Sequence, residues 1–236
     1  MRRNFAEVDP VIRSVQPDLH PDQKELFLGC GFSLFKSRDV FVWPRDDHSY
    51  KDRKNYRKDS LLLKQSLFKV IEPQLLSSDN AARLRDIYRR LYLDKHNALN
   101  ACLTERFFAI TSDSQVLQYR LFIDEGKIIG FYCFEIVREV LLVIALGYDQ
   151  AVPRKKGLYR QIVMSCIHES KRMDLTLTFS AGVDQFKASR GGQSIIEYEA
   201  VYFKHLSSRQ RLAWRLLQLK CRLSVWFRAI RWNDQN

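Results

Sequence analysis

The sequence is poor in the residues that build metal sites, disulfide frameworks and low-complexity chains. Five of its 236 residues are cysteine, at positions 30, 102, 133, 166 and 221. None forms a CxxC pair or joins a Cys/His cluster, so no metal site is expected. The odd, scattered set fits reduced thiols and a cytoplasmic chain. Nine glycines and six prolines are too few for a fibrous or disordered chain. No apolar run nears membrane-spanning length, and the opening MRRNFAEVDP lacks an apolar signal core, so neither a membrane span nor export is expected. No Ser-His-Asp or Cys-His arrangement is indicated, so any group transfer is expected to be direct, without a covalent enzyme intermediate. Acids are scarce as well: 27 Asp and Glu stand against 39 Lys and Arg, a formal charge of +12. That excess favours an acidic partner, whether RNA, anionic lipid, a nucleotide cofactor or an acidic carrier protein.

What is present is the composition of a folded domain. Hydrophobic residues make up 46% of the chain, and its length suits one domain of ordinary size. Residues 1–24 carry three prolines and little periodicity, and read as an irregular arm. Leu26 to Trp43 reads as a hairpin turning near Lys36–Asp39, and a helix is expected over about 49–67. Phe68–Ile71 reads as a short strand stopped by Pro73, followed by a helix capped at Ser77-Ser78-Asp79, with Leu84, Ile87, Tyr88, Leu91, Tyr92 and Lys95 on one stripe. A second short helix is expected over 104–111. Gln118–Ile123 and Ile128–Val137 form a hairpin around Asp124-Glu125-Gly126-Lys127.

The most informative stretch runs from Glu139 to Gly192. Val140–Leu146 is an uninterrupted apolar run suited to a buried strand. A basic turn, Arg154-Lys155-Lys156-Gly157, follows. Tyr159, Ile162, Val163, Cys166, Ile167 and Met173 then recur at helical spacing, and Leu175–Phe179 returns as a strand. A helix opening after such a turn points unpaired N–H groups and its positive dipole end outward, where a phosphate can sit. An ordinary strand–helix–strand crossover with a basic turn gives the same pattern.

The order of these elements and their residues resemble the central segment of the GNAT acyltransferases. There the turn after the fourth strand holds the pyrophosphate of coenzyme A, with the pattern Gln/Arg-x-x-Gly-x-Gly/Ala. Arg154 and Gly157 match, while Tyr159 stands where the second small residue belongs. FKASRGG, Phe186–Gly192, resembles the Phe-Lys-x-x-x-Gly signature of the Fem-type and related GNAT-like transferases, and Tyr88, Tyr92, Lys95 and His96 resemble their Tyr-x-x-x-Tyr-x-x-Lys-Tyr/His pattern. The resemblance spans roughly residues 55–206. It implies an α+β chain with a single twisted mixed sheet splayed between its fourth and fifth strands, helices on both faces, and a C-terminal amphipathic helix. The expected division is an N-terminal extension, 1–67, a transferase core, 68–206, and the terminal helix, 207–236.

The resemblance also implies an activity: transfer of an acyl group from a thioester, acyl-CoA (acetyl-CoA) or an acyl carrier protein, to an amine on a small molecule or peptide. Fem-type enzymes use aminoacyl-tRNA or acyl thioesters, so a tRNA-borne donor is the alternative; a non-catalytic module docking on membrane or nucleic acid is another. Donor holding falls to Leu146, Tyr148, Arg154, Lys155, Lys156, Gly157, Leu158 and Tyr159. The signature lysine, Lys187, is implied at the reacting centre. His96, Asn97, Asp149, Phe186 and Arg190 are candidate substrate contacts. Glu135, within the apolar strand, together with Glu197 and Asp149, are candidate bases, and Tyr202 is a candidate acid for the leaving thiolate.

Ser207–Trp232 holds seven Arg or Lys and no acid. Leu212, Leu216, Leu219, Leu223, Trp226 and Ile230 repeat at alternating spacings of four and three. The stripe is open to three readings: packing on the domain, a partner-binding arm, or peripheral contact with the inner membrane face. Apolar burial favours docking of the first half, Leu212–Leu219, leaving the rest free.

Overall fold

The computed structural model describes residues 10–95 and 97–233, with side chains through Cys221. In chain order the elements are β1 (Val11–Val15), α1 (Pro21–Gly29), β2 (Ser33–Trp43), a 3-10 turn (Ser49–Asp52), α2 (Lys54–Lys64) and β3 (Lys69–Ile71). Then come α3 (Ser78–Arg89), which widens into a π-helical turn (Arg90–Asp94), α4 (Glu105–Asp113), β4 (Gln118–Asp124), β5 (Lys127–Val137) and β6 (Val140–Tyr148). A 3-10 turn (Arg154–Lys156), α5 (Leu158–Arg172), β7 (Thr176–Phe179), α6 (Asp184–Ala188), β8 (Gln193–Val201) and α7 (Ser208–Asn233) complete the chain.

The strands form one mixed sheet in the order β1-β8-β2-β7-β6-β5-β4-β3. The β6–β7 pair is parallel; β1–β8, β2–β7, β3–β4, β4–β5 and β5–β6 are antiparallel. The chain divides into two compact units: Phe41–Gln193, and the residues up to Val40 together with those from Ser194 onward. The first strand of the N-terminal segment pairs with β8, Val11 opposite Val201 and Ile12 opposite Ala200.

In the unit Phe41–Gln193 the period of two in β5 builds two cores. Tyr132 and Phe134 point to one face, where Ile162, Val163, Cys166 and Ile167 of α5 cover them. Phe131 and Cys133 point to the other, against Ala81, Leu84 and Ile87 of α3 and Phe108 of α4. Ser77 caps α3 by accepting from the Asn80 N–H at 3.2 Å, and Thr104 caps α4 by accepting from the Phe107 N–H at 3.1 Å. β6 and β7 pair only at Val140–Leu142 with Thr176–Thr178, whereas β6 continues beside β5 to Tyr148. The second half of β6 therefore parts from β7, which is the splay expected between the fourth and fifth strands of the core.

Three local expectations are corrected. Residues 10–24 are not a plain arm; they hold β1 and the start of α1. Leu26–Trp43 is not a hairpin. Gly31, at φ 86°, turns the chain out of α1, and Lys36–Asp39 runs on as strand. The polar residues there are spent on ion pairs, Lys36 to Asp39 at 2.9 Å and Arg38 to Glu197 at 2.6 Å, so they mark no turn. The expected helix over 49–67 breaks at Arg53 into the 3-10 turn and α2.

Gly191 locks the end of α6 onto Tyr50. Its φ is 85°, and a Cβ there would lie 2.4 Å from Tyr50 Cβ and 2.6 Å from its Cα. Gly191→Ala is expected to cost about 2–4 kcal/mol, from strain plus a clash that backbone cannot relieve. Gly126→Ala, at φ 76° with open space around it, should cost only about 1–2 kcal/mol. Urea unfolding of the two variants checks the difference; equal losses would contradict it.

Candidate functional site

The site is built where β6 ends. The turn after Tyr148 is fastened by Asp149, whose N–H donates to Ile129 O at 2.7 Å. Its carboxylate accepts from the Ala151 N–H at 2.9 Å and pairs with Arg83 Nη2 at 2.6 Å, while Arg83 Nε donates to Ile128 O. Partial burial works to raise the Asp149 pKa, but the Ala151 N–H and the Arg83 guanidinium outweigh it and hold the carboxyl below its usual range. Asp149 is thus an ion-paired structural acid, which corrects its reading as a base or substrate contact.

Gly157 follows the 3-10 turn at φ 64°, a left-handed conformation, and stands at the N-cap of α5. Gln161, buried in the first turns of α5, donates from Nε2 to Lys156 O at 2.9 Å and ties the turn to the helix. The N–H groups of Leu158, Tyr159 and Arg160 have no acceptor within the helix, because they belong to its first turn.

Beside this turn lies a cavity of about 320 Å³. Lys95, Arg154 and Arg160 supply its cations, Tyr148 and Tyr159 its rings, and Val152, Gly157 and Leu158 its apolar and backbone surface. Among the described residues no Asp or Glu lines it. The rings continue outward: Tyr148 to Tyr159 at 5.6 Å between centroids, and Tyr159 to Phe186 at 5.0 Å. Tyr92 stacks on Tyr88 at 4.6 Å. Burial pushes the Tyr92 phenol far up, and the neighbouring Tyr159, Tyr88 and Tyr148 add to it. Burial likewise raises Tyr159, so both phenols keep their protons at neutral pH.

Behind the rings sits one carboxylate between two guanidiniums. Asp59, 1% exposed, accepts from Arg160 Nε at 2.6 Å on one oxygen and from Arg190 Nε at 2.6 Å on the other. Arg190 stacks over the Phe186 ring at 3.5 Å and donates to Phe186 O at 2.7 Å. Asp59 and Arg160 escaped the sequence reading. Arg160 was findable as the cation three residues after Gly157; Asp59 lay hidden in a densely charged stretch.

The remaining expected residues fall as follows. Leu146 is buried in the core and does not line the cavity. Lys155 is exposed and is not a lining residue. Lys156 turns away to Asp124, at 3.0 Å, and to the Phe68 ring, so its role as a donor contact is replaced by a structural one. Lys187 is 3% exposed; its ammonium donates to Ser180 O and lies over the Phe41 and Phe179 rings. It clamps the β7–α6 connection instead of opening onto the cavity. Arg190 is buried against Asp59 and Phe186 and acts as a support. Glu135 is half-buried where β5 leaves the core, not sealed within it, because Ile136 and Val137 beyond it are exposed. Glu197 is 3% exposed and spent on Gln16 Nε2 at 2.8 Å and Arg38 Nε at 2.6 Å, which removes it as a free base. Tyr202 packs on Phe32 and His205 in the unit that holds α7. Asn97 is exposed and accepts from the Leu99 N–H in a local turn. His96 lies outside the described residues. Among the described residues no cluster of metal-ligating side chains occurs.

No family model and no curated relative matches the sequence. Solved structures do share the fold. The C-terminal domain of a lysylphosphatidylglycerol synthetase from Agrobacterium fabrum superposes with a TM-score of 0.61 at 14% identity, over 91% of this chain and 72% of that one. The L-PGS of Bacillus licheniformis gives 0.61 at 16%, over 88% and 72%. FemX gives 0.61 at 10%, over 89% and 74%. At such identities the likeness is one of fold.

Asp59→Ala leaves two guanidiniums without their carboxylate and is expected to cost about 3–5 kcal/mol. Arg160→Gln, which leaves the Asp59–Arg190 pair intact, should cost much less. Thermal unfolding of both variants reads the difference; a mild Asp59→Ala effect would contradict the proposed role of the carboxylate.

Proposed function

We propose that this chain, which carries the GNAT fold in the form shared with FemX and the lysylphosphatidylglycerol synthetases, is a transferase that moves an acyl group from a phosphate-bearing thioester to an amine. The observation that carries the reading is the coincidence of three features at one place: the left-handed Gly157 with the free N–H groups after it, the acid-free cavity with Lys95, Arg154 and Arg160, and the splay of β6 from β7. The turn and cations suit a phosphate group. The second half of β6, unpaired on its β7 side, suits an extended amide-bearing arm, which an exposed strand edge binds by main-chain hydrogen bonds. Thr178 Oγ1, buried without a partner at the last β6–β7 pair, adds a polar group at the opening of the splay. Acyl-CoA or an acyl carrier protein thioester meets these requirements and would supply the activated carbonyl carbon.

The residues of the chain then divide the work. Arg154 and Lys95 hold the phosphate end, and the α5 N–H groups orient it. Tyr159, kept protonated by burial, is the donor at hand for the departing thiolate. The amine attacks the acyl carbon, the carbon–sulfur bond breaks, the thiolate takes the Tyr159 proton, the amine's proton leaves to solvent because no described carboxylate lines the cavity, and solvent returns a proton to Tyr159. An amine-bearing small molecule or peptide is the acceptor class.

One observation favours a second donor. Tyr159 occupies the place of the small residue that lets a diphosphate approach the backbone, and its ring joins Tyr148 and Phe186 in a stacking surface. A terminal adenosine of aminoacyl-tRNA suits such rings, and the +12 charge suits its phosphates.

Arg154→Ala and Lys95→Ala should each weaken acetyl-CoA binding by about tenfold or more, since a charge-assisted contact is worth roughly 1.5–3 kcal/mol. Tyr159→Phe should slow thiol release by about 10² with affinity retained. Calorimetry and a thiol-release assay read these effects. Folded variants with unchanged donor affinity would place the site elsewhere; binding of aminoacyl-tRNA but not acetyl-CoA, lost in Arg154→Ala, would select the second donor.

A further inference from the structure

We infer that the outer face of α7 is a docking surface for an anionic lipid bilayer. The helix is fixed to its own unit by residues other than the leucines. Trp214 meets Phe35 at 5.5 Å and Phe203 at 6.0 Å between ring centroids, and Gln218 Nε2 donates to Leu34 O at 3.4 Å. Trp214, Gln218 and Cys221 follow one another at spacings of four and three, so they form the docked stripe. Leu212, Leu216 and Leu219, expected to pack inward, are instead 56%, 58% and 53% exposed. At about 100° per residue these three fall within about 60° of one another, on the side of the helix opposite Trp214.

Cations flank the leucines on both sides. Arg209 and Lys220 fall about 60–80° to one side and Arg215 about 60° to the other, all three exposed. An apolar stripe edged by long basic side chains is the pattern of a helix lying in a membrane interface, with the leucines in the acyl boundary and the cations reaching the headgroups.

Charge separates this occupant from the others. Ser207–Trp232 contains no acid, so a second copy laid on the stripe would oppose like charges. A nucleic acid or an acidic carrier would use the cations but leave the leucines in water. A bilayer with anionic headgroups satisfies both groups, and each basic residue near its surface strengthens attachment.

Co-sedimentation of the full chain with vesicles tests this. Binding to phosphatidylglycerol–phosphatidylcholine vesicles should exceed binding to phosphatidylcholine alone by about tenfold and fall with added salt. Leu212→Asn with Leu216→Asn and Leu219→Asn, all exposed and so compatible with folding, should lower it by about tenfold. Arg209→Glu with Arg215→Glu and Lys220→Glu should abolish the preference for anionic lipid. Failure to sediment with either vesicle, or a triple leucine variant that binds as the parent does, would overturn the inference. So would a concentration-dependent dimer in sedimentation equilibrium that the leucine variant loses, because the stripe would then be a self-association face.

Discussion

The carboxylate of Asp59 is the interaction on which the unit Phe41–Gln193 depends. It lies on α2, 1% exposed, and receives one guanidinium from α5 and another from the end of α6. A lone buried carboxylate is costly, and so is a lone buried guanidinium. Together they fix three helices to one another. Arg190 then carries Phe186, Phe186 meets Tyr159, and Tyr159 meets Tyr148 at the end of β6. Arg160 spans from the same carboxylate to the cavity. The triad bears one positive charge in excess, which suits a neighbouring anionic ligand.

The backbone supplies the other half of the site. Three residue pairs join β6 to β7 before the strands part, and Asp149 with Arg83 holds the chain as it leaves β6. Gly157 can then turn left-handed and open α5 toward the cavity. Fold and site are consequences of the same geometry: a parallel pair must separate to leave an edge, and the crossover helix must begin beside that edge.

Much of this was legible in the sequence. The alternation of Phe131, Tyr132, Cys133 and Phe134 and the helical spacing of Leu84, Ile87 and Leu91 gave the core elements in order, because period and burial are tightly linked. Arg154, Gly157 and Tyr159 line one cavity, and their closeness was legible because a turn and a helix start are local features. Side-chain direction was less legible. Lys187 is conspicuous in its motif, yet a lysine can as well reach Ser180 O as a ligand. Glu197 reads as a free acid until Arg38 and Gln16, far off in sequence, are seen to claim it. The leucine periodicity of α7 marks a stripe, but periodicity cannot say whether that stripe faces the protein or the solvent; Trp214 and its partners Phe35 and Phe203 decided it.

The central claim is that the turn before α5 and the free half of β6 hold one acyl donor. Amide hydrogen exchange of the full chain with and without acetyl-CoA tests it most directly. Protection should rise at Leu158, Tyr159 and Arg160, whose N–H groups lack helical acceptors, and along 144–148 of β6. Protection confined to other segments, or none at saturating donor, would contradict the account.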